Sequence, residues 1–163
     1  MTNPGIKMHG PEHHFLVPAV LITAYYNKTG KPEMIPGKLK IARERAKNVP
    51  GGACGFYGSC GTGLGTGLFM SIVLRTTPLS TDDWTLSNLM TAEALYEIAM
   101  MGGPRCCKRT TFLALETATD FVRENLGVEL ERSEVVCSFF SRNKECKQTE
   151  CKYFPGSKKY RAI

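Results

Sequence analysis

Seven cysteines and three histidines are where this sequence can do chemistry. The cysteines fall in three groups far apart along the chain. Cys54 and Cys60 stand as C-x5-C in a glycine-rich stretch, Cys106 and Cys107 are adjacent after Gly102-Gly103-Pro104, and Cys137, Cys146 and Cys151 follow as C-x8-C-x4-C. All three groups sit at predicted element ends or in loops, off the apolar helix faces where a packing cysteine would stand. Thiolates suit soft and borderline metals: iron–sulfur clusters, zinc and copper(I). Structural zinc favours close C-x2–4-C pairs, and no such tight pair stands out. The spacings also miss the ferredoxin runs. The expectation is a centre that the fold gathers from distant loops, with Cys54, Cys60, Cys107, Cys137, Cys146 and Cys151 as metal ligands. An iron–sulfur cluster is the favoured occupant, zinc is the alternative, and metal-free thiol redox chemistry is the third option. Neighbouring side chains diverge, so one of Cys106 and Cys107 is expected to be a ligand and the other a core thiol or redox partner.

Arg105, Lys108 and Arg109 flank the adjacent cysteines. Nearby cations and a helix N-terminus both stabilise a thiolate. Cys106, Cys107 and Arg105 are therefore the catalytic candidates, with Lys108 read as a surface charge. The histidines His9, His13 and His14 share the string MHGPEHH. A helix N-terminus disfavours imidazolium, which leaves the neutral form that binds metals and acts as a base. His13 and His14 are expected to complete the metal shell or a nearby pocket, and His9 to be an exposed residue.

Eight of the sixteen glycines lie between Gly51 and Gly67. The run Gly61-Thr62-Gly63-Leu64-Gly65-Thr66-Gly67 is neither G-x-G-x-x-G nor a P-loop, so nucleotide binding of those kinds is not expected. Glycines four apart let helices cross closely, which is the reading for Gly63–Gly67. Gly55, Gly58 and Gly61, around the cysteines, are the cofactor-binding candidates, because bare backbone can approach an anion or cluster sulfide. No G-x-S-x-G and no H-E-x-x-H occurs.

Elements that would position these groups follow from periodicity and punctuation. Pro11-Glu12 opens a helix through Tyr25, with Pro18 as a possible kink, and Gly30-Lys31-Pro32 ends it. A short basic helix is predicted at Gly37–Lys47, with Leu39, Ile41, Ala42 and Ala46 inward. An apolar run at Leu64–Leu74 follows the glycines. Ser80 is the expected N-cap of a helix carrying Trp84 to Met101, with Asp82 and Asp83 at its positive end. Gly102-Gly103-Pro104 stops it. A last helix runs from Arg105-Cys106-Cys107 to Leu126, ended by Gly127. Tyr57 and Trp84 are read as core or pocket lining. Val128–Cys137 is short enough to be extended, and Ser138–Ile163 is polar and cysteine-rich. The fold class is mainly α: a single domain, residues 1–163, forming an irregular bundle of about five helices with a small Cys-rich C-terminal element.

Composition agrees with a globular protein. Of 163 residues, 42% are hydrophobic and 22% charged, which excludes a disordered tail, a collagen-like repeat and a coiled coil. The longest apolar stretches, Phe15–Tyr26 and Gly61–Leu74, are shorter than a bilayer requires, so no membrane partner is expected. An odd cysteine count without a visible secretory leader fits a reducing, cytoplasmic compartment. The net charge of +6 is uneven, with residues 1–50 and 105–163 basic and residues 51–104 acidic. There is no basic run interleaved with aromatics, so nucleic acid is not an expected partner.

Met8–Ala19, Cys54–Gly67, Thr77–Ser80, Gly102–Arg109 and the final cysteine group together resemble a domain-of-unknown-function family of anaerobic archaea and bacteria, over nearly the whole chain. The resemblance implies a cysteine-rich domain of unsettled activity, compatible with an oxygen-sensitive cluster. Some relatives are fused to methyltransferases or carry that label, which implies a redox or methyl-transfer protein as partner. A proline often follows the last cysteine in that pattern; here Lys152 stands there. There is a weaker similarity to a second small cysteine-rich redox family. The methyltransferase label does not pass to this chain, because a methyl-donor domain needs a parallel sheet with a glycine-rich first turn, and too few strands are predicted to build one.

Overall fold

The computed structural model describes residues 6–157. Among them the chain forms six α-helices and no strand: α1 (Glu12–Lys28), α2 (Ile35–Ala46), α3 (Ala53–Phe56), α4 (Gly61–Leu74), α5 (Asp82–Met101) and α6 (Cys107–Leu126). α3 is a single turn, so the bundle proper has five helices. Residues 128–157 follow as an irregular segment holding two three-residue turns, Phe140–Arg142 and Gln148–Glu150.

α4 is the central element and touches α1, α2, α5 and α6. Its sequence is poor for an isolated helix, because each interior glycine costs about 1 kcal/mol relative to alanine. The glycines repay that cost in two stripes. A Cβ on Gly61 or Gly65 would collide with α1: the first would sit 2.2 Å from the His14 ring, the second 3.0 Å from Pro18 Cδ. A Cβ on Gly63 or Gly67 would collide with α5, at Leu95 and at the carbonyl of Ser87. One motif thus lets two helices approach from opposite sides. Pro18 does not break α1. The His14 carbonyl, which Pro18 leaves without its helical donor, faces Gly65 instead.

The main core lies where these helices meet: Val17 and Ile22 of α1, Phe69 and Met70 of α4, Met90 of α5, and Ala118 and Val122 of α6 are all fully enclosed. A second, smaller core joins Met101 and Leu113 to Cys151 and Tyr153 of the C-terminal segment. That segment is tied down by a Tyr153 hydroxyl donating to Glu116 at 2.8 Å, by Lys152 on the same carboxylate, and by the Cys137 N–H on the Tyr153 carbonyl at 2.7 Å.

Gly67→Ala is expected to lower the melting temperature. The new methyl would meet the Ser87 backbone oxygen at 2.9 Å, which cannot swing aside. Overpacking of this kind costs about 1–3 kcal/mol, against the gain of about 1 kcal/mol from helix propensity. Thermal unfolding of the two proteins measures it.

Several local expectations are corrected. α2 begins at Ile35 and α4 already at Gly61, so the glycine motif is inside a helix. Ser80 does not cap α5: Thr81 is the N-cap residue, and the Ser80 hydroxyl accepts the Thr77 N–H. Ile41 and Tyr57 are exposed, the latter at 72%, and Trp84 lines a surface groove with Thr76 and Ser87, outside the core. Lys108 is 1% exposed, the reverse of a surface charge, because it falls on the inner face of α6 between the bundle and the C-terminal segment. Val128–Cys137 forms no strand.

Candidate functional site

Two cavities divide the cysteines. The first, about 490 Å³, opens between α1, the α3 loop, the start of α4, the end of α5 and the start of α6. Cys54, Cys60, Cys107 and His14 all line it. Its walls are largely backbone: eight glycines contribute, among them Gly55, Gly58 and Gly61. Arg105 and Arg109 complete the lining on one side. The second cavity, about 20 Å³, lies beneath the C-terminal segment and is lined by Cys106, Cys137, Cys146 and Cys151 under a cover of phenylalanines.

The adjacent pair is therefore split. Cys106 is the N-cap of α6, with φ −143° and ψ 101°, and Cys107 is the first residue of the helix. Extended backbone followed by helix turns the two side chains to opposite walls. The fold brings all seven cysteines to the neighbourhood of the α6 N-terminus, in two groups and not at one shared point.

His14 reaches the open cavity in a defined tautomer. Its Nδ1–H donates to the Val49 carbonyl at 3.2 Å, so Nε2 keeps its lone pair. That arrangement is the usual one behind a metal-ligating imidazole. His13 is placed elsewhere. Its Nε2–H donates to the Lys7 carbonyl at 3.1 Å, and its Nδ1 meets the Thr111 hydroxyl at 2.9 Å. Both nitrogens are used, and burial pushes its pKa down; it ties the N-terminal segment to α6. His9 is half-buried and bonds Asn143 Oδ1 at 3.1 Å.

The electrostatics at Cys107 run against a metal-free reactive thiol. Burial raises its pKa above the ordinary thiol value, and the negative charge of Cys60 and Cys54 would raise it further. A hydrogen bond from the Gly10 backbone and the charge of Arg105 lower it, but burial leads. Cys137 is likewise raised by burial first, with Cys106, Cys151 and Cys146 adding to the rise and the Phe139 N–H opposing it. Thiols grouped this way give up protons readily only to a cation that takes the proton's place. Among the described residues no three Cys, His, Asp or Glu side chains stand in a group already placed to hold an ion. A change of χ1 rotamer moves a thiol sulfur by about a metal–sulfur bond length, so closing either set on a metal calls for side-chain rotation.

The sequence marks Arg109 and Lys108 only as cations flanking the cysteines, and does not mark Asn143 at all. Arg109 lines both cavities and is 4% exposed. Its terminal nitrogen donates to the Gly102 and Pro104 carbonyls at 2.7 Å each, and its Nε is buried without a partner. Lys108 is buried beside the second cavity, and Asn143 donates to Cys106 Sγ at 3.5 Å. None shows a spacing that separates it from ordinary surface residues. The spacing of Cys146 and Cys151 is different: four intervening residues lie at the long end of the zinc-pair range, a signal the sequence does carry.

No curated protein and no solved structure matches this chain. Nor is any helix of the described residues long and apolar enough to cross a membrane. The cysteine groups and the glycine helix that sets them in place all fall within the span of one family model, described as a family of unknown function (DUF5714), which matches residues 1–154. The chain belongs to that family.

Proposed function

We propose that the open cavity holds an iron–sulfur cluster on Cys54, Cys60 and Cys107, and that the protein acts in electron transfer, cluster handling or support of a redox or methyl-transfer partner. One observation carries the reading: three thiols and an imidazole lone pair, delivered by four separate segments, line a single cavity of about 490 Å³ with glycine walls. The donor set fits such a group, since thiolates are its protein ligands and imidazole replaces some of them in one class. The volume is far more than one ion needs. Bound there, a cluster supplies one-electron chemistry.

The chain's own residues do the rest. Gly55, Gly58 and Gly61 keep side chains out of the volume and leave backbone at its wall. Val49 holds the His14 ring so that Nε2 is the free nitrogen. Thr62 Oγ1 lies 3.1 Å from Cys60 Sγ, within reach to donate to a thiolate. Arg105 and Arg109 set positive charge against the thiolates. Cys54 and Cys60 are only half-buried, which leaves an edge of the site near solvent, as exchange of electrons with a partner requires.

Purification without oxygen, followed by iron and acid-labile sulfide analysis and a visible spectrum, tests the proposal. The expected result is a coloured protein whose iron is lost in Cys54→Ser and Cys60→Ser. A colourless protein that takes up no iron and sulfide on anaerobic reconstitution would overturn it.

A further inference from the structure

We infer that Cys106, Cys137, Cys146 and Cys151 form a second and separate metal site, closed and structural, for a single tetrahedral ion of the zinc type. It does not depend on the cluster proposed above. Four cysteines are the complete ligand set of a structural zinc centre, and these four line one cavity.

Size selects the occupant. The cavity measures about 20 Å³, which is close to the room that one water-sized sphere takes. A lone ion drawn in by four sulfurs fits; a multi-iron cluster does not. Phe112, Phe139, Phe140 and Phe154 line the cavity's apolar sides, and four sulfurs on one tetrahedral ion leave no coordination position for a substrate.

Three of the four sulfurs accept hydrogen bonds. The Phe139 N–H points at Cys137 Sγ and the Gln148 N–H at Cys146 Sγ, each at 3.4 Å and each two residues along. Asn143 Nδ2 donates to Cys106 Sγ, and its Oδ1 accepts the Glu145 N–H at 3.2 Å, which fixes the amide's orientation. Donors aimed at sulfur favour the deprotonated ligand and hold it in place.

Charge agrees. Four thiolates around a divalent ion carry two net negative charges. Arg109 and Lys147 line this cavity, and Lys108 is buried beside it over the Phe139 ring. These cations offset the negative charge of the filled site.

Fold supplies the need. Residues 128–157 run for some thirty positions with only two short turns, and their own core is a handful of side chains. Irregular segments with so little to bury are held by disulfides or metals, and all seven cysteines are free thiols. As the ion binds, each Sγ–H releases its proton to solvent and a metal–sulfur bond replaces it.

Elemental analysis of the full chain, with cobalt(II) substitution, tests this. The expected result is one zinc per chain, kept when Cys54, Cys60 and Cys107 are all serine, and lost in Cys146→Ser. Cobalt should give the intense visible bands of a tetrahedral tetrathiolate in wild type and in the triple variant. Because Cys146→Ser can loosen the segment, Asn143→Ala is the second variant: it deletes the N–H···S bond to Cys106 without touching the backbone and should weaken zinc binding about 10-fold with the helical circular dichroism kept. Absence of tetrahedral thiolate bands in wild type, or zinc that leaves with the triple variant, would overturn the inference. Neither outcome touches the iron and sulfide measurement above.

Discussion

Cys106→Ser and Cys107→Ser are expected to strip different metals, although the residues are neighbours. Cys107→Ser removes a ligand from the open cavity: iron and colour go, while zinc and the C-terminal segment stay as they were. Cys106→Ser removes the ligand that α6 contributes to the closed site. The other three, Cys137, Cys146 and Cys151, all lie on the C-terminal segment, so Cys106 is the one metal bond between that segment and the helices. Structural zinc is worth about 10–16 kcal/mol in small peptide sites, as much as the whole stability of a typical domain, about 5–15 kcal/mol. The small core at Met101, Leu113 and Tyr153 cannot replace it. Zinc should therefore be lost and residues 128–157 should become the first target of limited proteolysis, while the helical signal falls little because that segment holds almost no helix. Iron, zinc and protease maps of the two variants check this. Loss of the same metal in the same proportion from both would mean a single shared centre.

Lys108→Met should weaken zinc binding more than it weakens the zinc-stripped fold. Lys108 Nζ lies 4.6 Å over the Phe139 ring and 3.4 Å from the Ile6 carbonyl, in a side chain that is 1% exposed. Burial pulls its pKa down, and Arg142 adds to the fall. Beside a doubly negative tetrathiolate the buried ammonium is a counter-charge. Methionine keeps most of the volume and removes the charge. Zinc affinity should therefore fall by about 10–100-fold, the usual effect of losing an outer partner. The stability of the zinc-stripped protein should change less, because there the charge has no tetrathiolate to offset. Competition with a chelator and denaturant unfolding in chelator measure the two. If both quantities fall together, Lys108 is a packing residue and the charge argument fails.

Much of the scaffold was legible. Pro11-Glu12, Gly102 and Gly127 mark the start of α1 and the ends of α5 and α6, because proline and glycine act through their own backbone and need no partner. The close-packing reading of Gly63–Gly67 holds for the same reason: a missing Cβ is a local fact, and the two faces follow from helical spacing. Ser80 and Ile41 were misplaced because their roles hang on neighbours. A hydroxyl at a turn chooses among nearby N–H groups, and a face is inside only if another helix covers it.

The site divides along the same line. Composition and spacing set the cysteines at element ends and in loops, although Cys151 packs into the small core. They did not show that Cys106 and Cys107 look into different cavities, that His14 and not His13 reaches the open one, or that Lys108 and Arg109 are buried charges. Those facts arise where α6 begins, between the bundle and a segment joined to it only through space. Residue type determines what a side chain can bind; which side chains bind together is decided by packing, because only the folded chain sets distances between groups that the sequence holds dozens of residues apart.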